Sequence, residues 1–235
     1  MSKIALISDV HGNLMALQKA IKTLEEYSPD IWICLGDLVG YGPFPKECID
    51  LVRSKEMYCV LGNHDAGVIG KVPLRHFRKP NRTLIELTKK LISEDDKKWL
   101  ASLPYTIVKE DWIAVHASPI KPERWEYIES AFTARNLLNN ISQKFCFVGH
   151  THKPVLVSDK IGNNEFKTGN KYLINPGSIG QSRDGDYRAS CAFIDTKDWT
   201  YENIRISFDI EPVLTSLVKL GFSRNESQRL MYVSA

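Results

Sequence analysis

Two aspartates, an asparagine and five of the six histidines fall in short clusters: Asp9 with His11, Asp37, Asn63 with His64, His116, and His150 with His152. Only His76 stands apart. Carboxylates, imidazoles and an amide oxygen form a mixed hard and borderline donor set. Such a set suits Mn, Fe, Zn, Ni or Co better than a structural zinc held by thiolates. The donors exceed what one tetrahedral ion needs and suffice for two ions sharing a carboxylate. Paired ions roughly 3.5–4 Å apart serve in-line displacement at phosphorus. His64 is at this point a metal ligand, a proton donor or a packed core residue.

Something must bring these clusters together, and the runs before them do so. "KIALIS" (3–8) precedes Asp9, "DIWICLG" precedes Asp37, "MYCVLG" precedes Asn63, "WIAVHA" contains His116, and "KFCFVG" precedes His150. Each reads as a short strand. Ligands of open α/β sheets bind outside the carboxyl ends of the strands, so every cluster is expected at one edge. Asp9 and His11 are two residues apart, as are His150 and His152. In extended chain such pairs point to one side. Gly12, Gly36, Gly62 and Gly149 sit where the backbone must turn or approach a neighbour.

Between the strands, Leu14, Leu17, Ile21 and Leu24 recur at helical spacing and predict a helix over 13–27. A second helix is expected near 45–55, opened by prolines. Two more lie within 80–103, with Thr83–Glu86 and Ser93–Asp96 as capping pairs. "TIVKEDWIAVHA" reads as a hairpin turning near Glu110 and Asp111, and 130–141 as a helix. Alternating strands and helices imply βαβ units and a parallel sheet. After His150 the runs "PVLVSD", "KYLINPGS", "ASCAFID" and "TYENIRISF" read as largely antiparallel. Two helical pieces close the chain, the second starting at Ser223 with Glu226 as capping partner. No linker interrupts the pattern. Residues 1–235 are therefore expected to form a single domain with two sheets, helices covering their outer faces.

The totals exclude several classes. With 43% hydrophobic and 25% charged residues the chain is an ordinary globular protein. A net charge of +3 does not indicate nucleic-acid or membrane binding. No run is long enough to span a bilayer, and "MSKIALISDVHG" does not read as a signal peptide. Cys34, Cys48, Cys59, Cys146 and Cys191 sit mostly in apolar runs without a CxxC pair. They are expected to be buried thiols of a cytoplasmic protein.

In order along the chain, "DVHGN", "GDLVGYG", "GNHD", the histidine of "VHASP" and "GHTH" resemble the motifs of the calcineurin-like metallophosphoesterases. "NPGSIG" (175–180) is similar to a later strand-and-turn element of that family. The short form resembles its small prokaryotic phosphodiesterase and phosphatase members. Two departures are visible. Ala117 stands where glycine is common, and the Asp-Arg continuation of the eukaryotic protein serine/threonine phosphatases is missing after "GDLV".

The resemblance implies an α/β fold, a four-layer α/β/β/α sandwich of two mixed sheets, with a dinuclear metal site at the sheet edge. It implies that Asp9, His11, Asp37 and His152 hold one divalent ion and that Asp37, Asn63, His116 and His150 hold the other, Asp37 bridging. His64 would bind no metal. The expected reaction is hydrolysis of phosphodiester or phosphomonoester bonds by a hydroxide bridging the ions, with His64 aiding the leaving group. A diadenosine tetraphosphate-type nucleotide hydrolase and a phosphoprotein phosphatase are the alternatives. A non-enzymatic scaffold of the same fold would show eroded ligands, and here each position is filled. Asp65 either orients His64 or caps a turn. Asn63 and Tyr41 are expected to meet the substrate, Tyr41 by stacking on a leaving group. Arg183 either clamps a second phosphate or pairs with Asp184 or Asp186. The basic segment 71–82, including Arg75, reads first as a solvated face and second as a flap steering anionic substrates.

Overall fold

The computed structural model describes residues 2–77, 79–162 and 165–232. The chain runs β1 (Lys3–Ile7), α1 (Leu14–Glu25), β2 (Ile31–Cys34), α2 (Pro45–Ser54), β3 (Tyr58–Cys59), α3 (Asn63–Val68), α4 (Lys79–Leu91), α5 (Glu94–Ser102), β4 (Thr106–Val108) and β5 (Trp112–Val115). It continues through α6 (Ala131–Asn139), β6 (Phe145–Phe147), β7 (Val155–Ser158), β8 (Tyr172–Asn175), β9 (Ala189–Asp195), β10 (Thr200–Ile206), α7 (Glu211–Lys219) and α8 (Arg224–Met231).

Ten strands form two five-stranded sheets, ordered β10-β9-β1-β2-β3 and β4-β5-β6-β8-β7. In the first, β1, β2 and β3 are parallel, while β9 pairs antiparallel with β1 and β10. In the second, β5, β6 and β8 are parallel, flanked by antiparallel β4 and β7. The antiparallel reading after His150 therefore holds for β7, β9 and β10 but not for the β8–β6 pairing. Which sheet a strand joins is a long-range choice that local alternation does not encode.

The period-2 alternation of each strand divides the core into layers. Ile4 and Leu6 of β1 and Ile33 of β2 face Phe145, Phe147, Tyr172 and Ile174 of the other sheet. Ala5 and Ile7 face away, onto Ala16, Leu17 and Ile21 of α1 and Ile49 and Val52 of α2. On the far side, Val115, Cys146 and Leu173 pack beneath Ala134, Leu137 and Leu138 of α6. The result is a four-layer α/β/β/α sandwich. Phe145, Phe147 and Tyr172 are fully buried between the sheets, each worth roughly 1.5–3 kcal/mol of transfer free energy. No helix among the described residues is long and apolar enough to cross a membrane.

The capping pairs at Ser93 and Ser223 start α5 and α8 as expected, each a reciprocal box with Asp96 or Glu226. Thr83 is different. Helix α4 begins at Lys79, so Thr83 lies inside it. Pro80 suits the first turn, where its missing N–H costs nothing. Helix α3 was not foreseen. Gly62 precedes it and Asp65 accepts from the Gly62 N–H at 3.1 Å, which closes its first turn.

Candidate metal centre

The carboxyl ends of β1, β2 and β3 in one sheet meet those of β5 and β6 in the other. All seven expected ligands converge at this rim. One nitrogen or oxygen each of Asp9, His11 and His152 lie within 4.8 Å of one another, and the same holds for Asp37, His116 and His150. The Asn63 Oδ1 lies 3.1 Å from His116 Nε2. Asp37 belongs to two groups, because its carboxylate also meets His11 and His64 within that reach. Its Oδ2 lies 3.4 Å from His116 Nε2 and 3.7 Å from His11 Nε2.

The pairs spaced two apart do reach one cleft, but not through extended chain. Asp9, His11, Asp37, His150 and His152 all have φ between +48° and +67°, the left-handed region that side chains other than glycine rarely adopt. The turns are braced instead of relaxed. Backbone bonds run from His11 N to Asp37 O and from Gly12 N to Leu38 O, each at 2.8 Å, tying the β1 and β2 loops together. Ser178 Oγ donates to Asp9 O at 2.8 Å and Asn175 Nδ2 to Gly149 O at 2.8 Å. "NPGSIG" thus supports both ligand loops. Space is equally constrained. A Cβ on Gly62 would stand 2.1 Å from Asp37 Oδ1, and one on Gly149 2.0 Å from Ser8 Oγ.

Hydrogen bonds behind the rim decide which nitrogen faces inward. His11 Nδ1 donates to Val39 O (3.1 Å), His116 Nδ1 to Leu35 O (2.7 Å) and His152 Nδ1 to Gln181 O (2.5 Å). Each Nε2 is thereby presented to the site, the arrangement that orients metal-ligating histidines. His152 Nε2 then faces Asp9 Oδ1 at 3.2 Å. That oxygen is buried and accepts no hydrogen bond among the described residues, whereas Asp9 Oδ2 accepts from Ser8 Oγ and from His150 N. Lone pairs converging at such distances demand a cation or an extra proton between them. The donor set and the orphaned oxygen fit divalent metal ions.

The charges lead to the same place. Burial alone would raise both carboxylates. At Asp9 the imidazoles of His152 and His116 outweigh it, and at Asp37 those of His116 and His64 do, so both stay well below the usual range. Burial pulls His116 down, but the Asp37 charge reverses this and carries it to about 10. His150 is pulled down by burial and by His116, to about 3. In this facing pair, 3.1 Å apart, the charged form is favoured on His116 and the neutral form on His150. A bound cation displaces such protons.

His64 is buried, on the first turn of α3, and its backbone N–H donates to Asp37 Oδ1 at 2.8 Å. Burial lowers its imidazole against the pull of Asp37. Its Nδ1 has no hydrogen-bond partner among the described residues. Asp65 does not orient it. The Asp65 carboxylate accepts from Val39 N at 3.2 Å and Gly62 N at 3.1 Å. Placing Asp65 among catalytic residues is corrected on this point: its oxygens clamp α3 to the β2 loop. Burial and the Asp37 charge push it up to about 7 against those two bonds.

A cleft of about 1650 Å³ opens over the rim, lined by Asp37, Asn63, His64, His150 and His152 and, further out, by Tyr41 and Arg183. Tyr41 sets its ring edge against His11 (4.6 Å between centroids) and lies 5.0 Å from His64. Arg183 pairs with neither carboxylate proposed for it: Asp184 binds Arg205, and Asp186 binds Arg188 at 2.6 Å. Of the basic segment, Val72, His76, Phe77 and Asn81 line the cleft, while Lys71, Arg75 and Arg82 are exposed, so one side of the stretch walls the site and these three basic residues face solvent. Arg82 donates to the backbone carbonyls of Phe77 and Arg75. Arg78 lies outside the described residues. Sequence reasoning set His76 aside and passed over Tyr127, which stacks on His150 at 4.0 Å and 22°, and Gln181. An aromatic or an amide in a loop carries no periodic signal, so neither was detectable without the fold.

A family model described as calcineurin-like phosphoesterase matches residues 2–154. An uncharacterised protein of Methanocaldococcus jannaschii is 39% identical over 234 residues, 93% of each chain. The crystal structure of a metallophosphoesterase from Sphaerobacter thermophilus has a TM-score of 0.82 and 33% identity, covering 97% of this chain and 98% of that one. The symmetrical bis(5'-nucleosyl)-tetraphosphatase of Proteus mirabilis is 29% identical over 136 residues, 56% of this chain and 50% of its own.

Proposed function

The chain belongs to the calcineurin-like phosphoesterase family, and from that membership and the rim's geometry we propose a hydrolase that cleaves phosphoester bonds with two divalent ions. The carrying observation is the pair of donor groups joined through Asp37. Asp9, His11, Asp37 and His152 would hold one ion, and Asp37, Asn63, His116 and His150 the other. When bound, two such ions supply Lewis acidity that activates water and offsets charge on phosphoryl oxygens.

The chain's own groups do the rest. Carbonyls of Leu35, Val39 and Gln181 fix three imidazoles in one tautomer. Asp37 is held from behind by the His64 N–H, which also fixes where His64 stands. The His64 ring lines the cleft and is assigned to the leaving oxygen, where it donates a hydrogen bond as charge develops. Asp65 braces this arrangement.

We favour phosphodiesters and nucleotides over monoesters, because the cleft of about 1650 Å³ extends well beyond the rim. A second reading, a dinucleoside tetraphosphate hydrolase, draws on the likeness to the Proteus mirabilis tetraphosphatase. We place this activity in the cytoplasm, where the five buried unpaired cysteines remain reduced, and treat 1–235 as one domain. The test is a metal panel. Stripped protein is reloaded with Mn, Fe, Ni, Co or Zn and assayed on a simple monoester, a simple diester, diadenosine tetraphosphate and a phosphopeptide. Turnover of the diester above the monoester is expected with at least one metal. No turnover under any condition overturns the proposal.

A further inference from the structure

Arg183 occupies an unusual position on the cleft wall. Its guanidinium is half-buried, and among the described residues no carboxylate neutralises it, since the neighbouring acids Asp184 and Asp186 are taken by Arg205 and Arg188. Nε and Nη2 donate to Gln181 Oε1 at 3.1 and 2.9 Å, and Nη2 also donates to Tyr41 Oη at 3.3 Å. These acceptors are neutral. The Nη1 hydrogens have no protein acceptor among the described residues. An arginine fixed by neutral groups keeps its full charge and its planar fork for an outside anion.

The support is rigid. The Gln181 amide nitrogen donates to the Leu230 carbonyl of α8, which forces the amide oxygen toward Arg183. The backbone oxygen of the same residue accepts from His152 Nδ1. Gln181 therefore couples Arg183 to a rim ligand. Tyr41 couples it to His11 and His64 from the other side. The guanidinium stands one tyrosine away from the reacting end of the cleft, outside the ligand set.

We propose that Arg183, positioned by Gln181 and Tyr41, is a second anion subsite that takes an additional phosphate on the substrate, so that the cleft selects substrates with two or more linked phosphates over simple esters. This rests on the phosphoesterase reading for its first phosphate, which would sit at the rim. Gln181 and Arg183 both lie beyond residues 2–154, the segment matched by the family. The selectivity is thus assigned to the later loop that carries Gln181 and Arg183.

The test counts phosphates with AMP and ADP as probes. Their binding to Mn-loaded wild type, Arg183→Ala and Arg183→Lys is measured by calorimetry, and hydrolysis of bis(p-nitrophenyl) phosphate is followed in parallel. Wild type should prefer ADP over AMP. Arg183→Ala should shrink that preference by about tenfold, the size of a lost charge-assisted contact. Arg183→Lys, which keeps the charge without the fork, should fall between and carries the test if the alanine variant does not fold. Equal affinity of wild type for ADP and AMP overturns the subsite. So does equal weakening of both nucleotides in Arg183→Ala, which would put Arg183 on the reacting phosphate. Diester hydrolysis reports separately on the hydrolase reading, so either conclusion can fail alone.

Discussion

At the inner end of the cleft, Asp9, His11, Asp37, His150 and His152 leave the chain from left-handed backbone, with φ from +48° to +67°. At the outer end, Tyr41, Tyr127, Gln181 and Arg183 stand on ordinary backbone and are held by side-chain contacts. Strain of this kind costs about 1–3 kcal/mol per residue and persists only where surroundings over-determine it. The rim has such surroundings: cross-loop backbone bonds, the Ser178 and Asn175 braces, and glycines that admit no Cβ. The wall has fewer of them: Arg183 N donates to His152 O at 3.3 Å and Gln181 N to Ser178 Oγ at 2.8 Å, but its residues have no left-handed backbone. A substitution in the wall should alter which substrate binds, while one in the rim should remove the chemistry altogether.

The strongest way to break this division is to pair Asp37→Ala with His64→Ala. Asp37→Ala should abolish turnover and lose bound metal, as read by elemental analysis of the purified variant. His64→Ala should cut turnover by about two to four orders of magnitude and keep near wild-type metal content. The His64 ring comes within 4.8 Å of His11 and Asp37 donors, so the outcome is not trivial. Metal loss in both variants alike makes His64 a part of the rim.

Chelation gives a smaller and more local signal. A ligand present at a hundred times its Kd stabilises the native state by about 2.7 kcal/mol, roughly 5–11 °C in Tm for a chain of this size. Removing metal should lower Tm by that order. Hydrogen exchange should rise in the loops 8–12, 36–42 and 149–153, and change little in α8. An unchanged Tm counts against tightly bound ions. Protection lost equally in α8 means the wall depends on the rim, against the division drawn above.

The rim was legible in the sequence and the wall was not, for a physical reason. Ligands must sit at strand ends, and strand ends are marked by short apolar runs, three of them closed by Gly36, Gly62 and Gly149, so Asp9, Asp37, Asn63, His116 and His150 could be placed from pattern alone. Even so, the reason given for the two-residue spacing was incorrect: left-handed turns, not extended chain, aim each pair. Helix α3 escaped because six residues, preceded by Gly62 and interrupted by Gly67, show no periodicity. His76 reaches the cleft from a short 3₁₀ turn and Tyr127 from an irregular loop, and Arg183 chose Gln181 and Tyr41 over two acids near it in sequence. Partner choice among side chains is settled by tertiary geometry.

Tyr127 offers the finest probe of the boundary, because it belongs to the wall yet covers a ligand. Its ring is 51% exposed and lies flat on the His150 imidazole, 4.0 Å away at 22°. An aromatic contact of this type is worth about 0.5–1.5 kcal/mol. His150 is already fixed by its own backbone, through the bond from His150 N to Asp9 Oδ2 at 3.0 Å, and its ring faces His116 at 3.1 Å. Losing the stack should therefore leave the ligand in place. For Tyr127→Ala, KM for a diester should rise by about two- to tenfold, with kcat and metal content close to wild type. A fall in kcat together with weaker metal binding would mean that the stack itself aims His150, and the boundary between rim and wall would then run outside Tyr127.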